Sequence, residues 1–209
     1  MKRGTIRRFM HGCGVVLAAS LCVTETLILM DYGWREALPL HLCGMGALMA
    51  LAVAFGMDGF ALDFLWYLCL PGAAAALIFP APVLSRYQML LNASYTATHA
   101  LIIAIALLAP LAGRMPSRRK GAQMLAALAV IALPVYAVNV LLGTDYLFLI
   151  RPPADTPLEW VSGRGYGVYL FCLSAIAVGF SAGMEWALEA LFCFGLHSRG
   201  ARRPAVTRV

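Results

Sequence analysis

The sequence predicts an all-α, polytopic membrane protein with six transmembrane helices and both termini in the cytoplasm. Three observations predict it. The 209 residues are 62% hydrophobic and only 12% charged, with a mean hydropathy of +0.80, whereas soluble domains carry about 25% charged residues. Six apolar windows, at about 9–30, 38–57, 60–79, 89–112, 122–143 and 166–194, each approach the ~20 residues that a spanning helix needs. The third observation is charge. Lys2, Arg3, Arg7 and Arg8 precede the first window; Arg114, Arg118, Arg119 and Lys120 join the fourth to the fifth; Arg199, Arg202, Arg203 and Arg208 follow the sixth. Those twelve of the sixteen basic residues fall on one side of a six-helix chain, leaving Arg35, Arg86, Arg151 and Arg164 on the other. The positive-inside bias makes the first side cytoplasmic. The multi-pass chain is therefore expected in the cytoplasmic (inner) membrane.

The first helix carries Thr24, Glu25 and Thr26 in its outer part. Its apolar stretch is too long for a signal-peptide core, and Leu21 before Cys22 does not fit a lipoprotein cleavage site, so it reads as an uncleaved anchor. Asp31 to Glu36 form a short outer loop with Trp34 at the interface. The second helix is expected to open with Pro39 in its first turn, where the missing N–H costs nothing, and to end near Asp58. The third contains Asp63, Pro71 and the run Gly72 to Ala76; it should kink and pack closely before Pro80 and Pro82 end it. In the fourth, Asn92, Tyr95 or Thr96, and His99 share one face. The fifth runs outward with Pro134, Tyr136 and Asn139 near its exit. Residues 144–165 are too polar and proline-rich to span, and a segment of that length is a candidate lid. The sixth carries Gly179, Ser181 and Gly183, then Glu185 as an interhelical partner and Glu189 at the inner interface.

The polar groups coincide in depth. At ~1.5 Å per residue, Glu25, His41, Cys43 and Asn139 lie within ~10 Å of the outer boundary and His99 near ~15 Å. A centrally placed charge in hydrocarbon costs about 2.5–3.5 kcal/mol on insertion scales, so several polar groups at one level point to a shared cavity. Taken singly, each also fits as an interhelical hydrogen-bonding group. The six cysteines form no Cys-x-x-Cys pattern, so neither a disulfide framework nor a metal site is expected. No cofactor is expected either. The basic residues are split among helix ends, which argues against nucleic acid as a partner; membrane phospholipid is the expected one.

Cys43 stands apart from the other cysteines because His41 is two residues away and His99 reaches the same depth. A thiolate beside an imidazole is a recurrent solution for acyl transfer. On that reading Cys43 takes the acyl group, His99 or His41 moves the proton, and Glu25 orients a histidine. Asn92, Tyr95, Asn139, Asp145 and Tyr146 would then bind substrate or hold the developing oxyanion. Two other classes use the same residues or their neighbours. A small-solute or proton-coupled transporter would line its path with Glu25 and His99, and an intramembrane serine hydrolase would use Ser181.

The run Leu38-Pro39-Leu40-His41-Leu42-Cys43, the proline-ended third helix, the tyrosine and His99 of the fourth, and Asp145-Tyr146-Leu147 ahead of Arg151-Pro152-Pro153 together resemble the YwaF-type bacterial integral membrane proteins. The resemblance covers roughly residues 25–160, and its most specific piece is Leu-Pro-x-His-Leu-Cys. Through that family the chain is distantly similar to a eukaryotic transmembrane family regarded as a phospholipid acyltransferase. The resemblance implies Cys43 as nucleophile and His99 or His41 as base. It also implies a further helix upstream of the one bearing Glu25, and asparagine where this chain has Asp145.

Overall fold

In a computed structural model the chain is 77% helix, with no strand among the described residues. The structure describes residues 3–80 and 85–200, side chains through 193. Lys2, Pro82, Arg202, Arg203, Arg208 and the side chain of Arg199 lie outside the described residues. The helices are α1 (Arg3–Asp31), α2 (Leu42–Ala54), α3 (Phe60–Ile78), α4 (Gln88–Leu111), α5 (Gly121–Leu142), α6 (Pro157–Ser162) and α7 (Tyr166–Gly200).

Five of these, α1, α3, α4, α5 and α7, are long and apolar enough to cross a membrane. The window at 38–57 is the exception to the six-span expectation. Its helix has 13 residues, about 20 Å at 1.5 Å per residue against a hydrocarbon core of about 30 Å. Leu38 to His41 are apolar enough to extend a hydropathy window, but they stay outside the helix, and His41 is extended (φ −69°, ψ 153°). Pro39 therefore precedes the helix instead of opening it. Its backbone lies 3.0 Å from where a Cβ on Gly44 would stand, so only glycine lets the chain fold back this tightly.

At the centre is α3, buried all round from Ala61 to Leu70, as a helix apolar on every face must be in a bundle. Gly46 of α2 lies so close to it that a Cβ there would meet the Cys69 Cβ at 3.0 Å, and Leu42 fills the space over Gly72 at the same distance. Leu65–Cys69 form a π turn. Pro71 follows two residues later; its ring would clash with the Tyr67 carbonyl in a regular α-helix, and a widened turn relieves that clash. α1 and α4 pack beside α2 and α3 to complete the core, while Met124 and Leu188 are the contributions of α5 and α7.

The loops sort to two ends. At one end Arg3 lies against Gly113, Arg118 pairs with Glu189, and the Gly121 N–H donates to Glu185 (3.3 Å). Arg114 caps the end of α2 there, donating to the Val53 carbonyl at 2.5 Å, to the Met57 carbonyl, and to Asp58 at 2.6 Å. Buried Asp63 accepts from the Ser117 N–H at 2.7 Å at the same end. The start of α1, the 112–120 connection and residues 185–189 thus sit together. At the opposite end Arg86 pairs with Asp31, and Tyr146 reaches the 35–38 segment.

Candidate functional site

Two pairs of hydroxyls one helical turn apart lock α1 to α4. Ser20 Oγ lies 3.0 Å from Ser94 Oγ and 2.9 Å from Thr98 Oγ1, and Thr24 also contacts Ser94. The arrangement positions the candidate residues, because Glu25 follows Thr24, Tyr95 follows Ser94 and His99 follows Thr98 in sequence. The signal was present as Ser20/Thr24 facing Ser94/Thr98, two i,i+4 pairs. Glu25, on the exposed side of that seam, lines a shallow groove of ≈340 Å³ with Thr26, Leu29, Trp34, Ala37 and Leu38.

Cys43 is half-buried in the first turn of α2. No side chain caps this helix, so its first N–H groups have no intrahelical partner. The sulfur faces the N–H groups of Cys43 and Gly44 and lies within electrostatic reach of Glu25, Tyr95 and Cys69. Tyr95 donates its hydroxyl proton to the Ala76 carbonyl (3.1 Å), and its ring centroid is 4.1 Å from that of His99. His99 is 2% exposed. Its Nδ1 lies 2.7 Å from the Tyr95 carbonyl oxygen, which can only accept, so Nδ1 carries the hydrogen and Nε2 carries the lone pair.

His41 is held from another direction, its ring edge-on to Tyr146 (4.9 Å) and tilted against Phe148 (5.5 Å). Burial pushes its pKa below 6.5, partly offset by the Asp145 carboxylate. Between that folded value and 6.5 the unfolded chain binds more protons than the folded one, so stability falls as the pH drops below about 6.5. His41→Gln is expected to flatten this limb of the thermal midpoint against pH; an unchanged slope would mean that other groups set it.

The remaining predicted residues divide. Asn139 is fully buried and engaged: Nδ2 donates to the Tyr146 carbonyl (2.9 Å), while Oδ1 accepts from the Tyr146 N–H (2.8 Å) and the Thr144 hydroxyl (3.0 Å). Tyr146 in turn donates to the Arg35 carbonyl (2.5 Å) and accepts from the Leu38 N–H (3.1 Å). Asp145 accepts from the Ile150 and Arg151 N–H groups at 2.9 and 3.1 Å. These three residues hold the 35–41 segment and the 145–151 turn together over His41. Leu147 and Phe148 both have positive φ (59° and 53°), a conformation that costs about 1–2 kcal/mol per L residue. The Asp145 bonds and the Tyr169 hydroxyl, which donates to the Phe148 carbonyl, maintain it and aim the Phe148 ring at His41. Asn92 is exposed, its side chain away from this group.

Residues 144–165 are thus not a free lid: the first part covers His41 and α6 precedes α7. Ser181 is 2% exposed and has no hydrogen-bond partner among the described residues, but Gly179 to Gly183 lie inside unbroken α7, which gives no strand-to-helix elbow. Among the described residues no group of three His, Cys, Asp or Glu side chains could hold a metal ion.

No curated protein and no solved structure matches the chain. The family model that the chain matches is that of a transmembrane family, which does not support the narrower YwaF-type resemblance. Residues 2–184 match the model of the TMEM164 family, and this multi-pass membrane protein belongs to it.

Proposed function

We propose that the chain is a lipid acyltransferase or transacylase of the cytoplasmic membrane, with Cys43 as nucleophile at a site facing the outer leaflet. The single observation that carries this reading is the position of Cys43 on the uncapped first turn of α2, its sulfur toward two N–H groups and within electrostatic reach of Tyr95, which packs on His99. A helix N-terminus favours the thiolate of a cysteine, and His99, packed on Tyr95, is the imidazole this reading assigns to the thiol proton. In the proposed cycle His99 Nε2 takes the thiol proton and the sulfur attacks an ester carbonyl of a membrane phospholipid. The C–O bond breaks, the departing lysolipid oxygen takes the proton back, and a thioester remains on Cys43. A hydroxyl of a second lipid then takes the acyl group by the same steps reversed.

N–H groups of the α2 first turn suit the developing oxyanion. Tyr95 and Glu25 suit the substrate wall. Asn139, Asp145 and Tyr146 act in this scheme as positioning residues for His41 and the outer turn, and exposed Asn92 is left as a headgroup contact from the lipid side. The basic clusters at the opposite end support cytoplasmic termini, with α2 completing six membrane-embedded helices.

The test is gel-detected labelling of the full chain by a lipid-like electrophilic probe. Labelling is expected to fall to background in Cys43→Ala and to persist in Cys69→Ala, whose thiol is fully enclosed between α2 and α3. Equal labelling of both variants removes Cys43 from the chemistry.

A further inference from the structure

A second cavity, ≈330 Å³ in volume, lies at the opposite end of the bundle from Cys43, between the first turns of α1 and the end of α2. Arg7 and His11 form one wall, Asp58 and Arg114 the other, over an apolar floor that includes Met10 and Ala54. Its charges do not balance. The one acidic lining residue, Asp58, is already paired with Arg114 at 2.6 Å, and Arg114 is fixed in place by the two carbonyls at the end of α2. Arg7 has no hydrogen-bond or ion-pair partner among the described residues. His11 is stacked on Phe55 (5.9 Å, 17°) and lines the cavity. A third guanidinium, that of Arg3, lies against Gly113, the residue before Arg114.

We propose that this cavity binds a phosphate group, with Arg7 and His11 as its ligands and the Asp58–Arg114 pair as its fixed opposite wall. Guanidinium forks match the oxygens of phosphate, and Arg7 and His11, one turn apart on α1, line one space at the small end of ligand-pocket volumes, about 300–1,000 Å³. Basic pockets between membrane helices take up lipid headgroup phosphates, and a soluble phosphate ester presents the same chemistry. The site is independent of the Cys43 reaction.

Thermal unfolding of the full chain in phosphatidylcholine nanodiscs, with and without inorganic phosphate or admixed phosphatidylglycerol, reads the binding. Native mass spectrometry reads any retained lipid. Stabilisation is expected with at least one of the two, and Arg7→Gln should weaken it about fivefold while Arg7→Lys keeps most of it. Arg8→Gln, in the same basic cluster but outside the cavity, should change nothing. A response to phosphatidylglycerol alone assigns a lipid headgroup, and a response to inorganic phosphate assigns a soluble source. No stabilisation by either, or an equal loss in Arg8→Gln and Arg7→Gln, overturns the proposal.

Discussion

Asn139→Ala is expected to destabilise the folded protein by about 2–4 kcal/mol, the largest effect on stability of the substitutions considered. The side chain makes three hydrogen bonds in a site with no exposure. Its removal leaves the Tyr146 N–H and C=O and the Thr144 hydroxyl without the amide that satisfied them. Each orphaned buried group costs about 1–3 kcal/mol. The loss also propagates, since Tyr146 is the link to Arg35 and Leu38 and the surface on which His41 rests. Asn92→Ala supplies the contrast, because its exposed side chain should change stability by no more than about 0.5 kcal/mol. Thermal midpoints of the two variants in one detergent check the prediction. Similar midpoints would mean that the Asn139 bonds are replaced by water.

The same pair shows how far the sequence could be read. Hydropathy located α1, α3, α4, α5 and α7 because twenty apolar residues in a row leave the backbone no partner but itself. It took 38–57 as one helix because apolarity does not separate helix from extended chain, and the Leu38 to His41 stretch is apolar without being helical. Residue type is also legible, and it put Asn92 with Asn139 among the substrate-binding candidates. Azimuth is less so: Asn92 lies on the exposed side of α4, whereas Ser94, Thr98 and His99 are buried. The contacts that hold Asn139 come from a turn with two positive-φ residues, Leu147 and Phe148, neither of them glycine. No propensity rule marks those positions, because the conformation is imposed by Asp145 and Tyr169 across the fold.

His99→Asn is expected to slow probe acylation of Cys43 by about 10²–10⁴-fold near neutral pH, the range that loss of a general base produces. This prediction rests on the proposed acyl chemistry. Asparagine can still donate to the Tyr95 carbonyl, as Nδ1 does now, but it offers no lone pair at the place of Nε2. The deficit should narrow as the pH rises, because hydroxide ionises the thiol without help. A side chain that merely supported the packing of α4 would leave a deficit independent of pH. The parallel variant His41→Asn should cost less, since the His41 ring is engaged by Tyr146 and Phe148 on the outer side of α2. If His41→Asn shows the larger, pH-dependent loss, the proton belongs to the residue that opens the helix, and His99 serves to hold Tyr95 against α3.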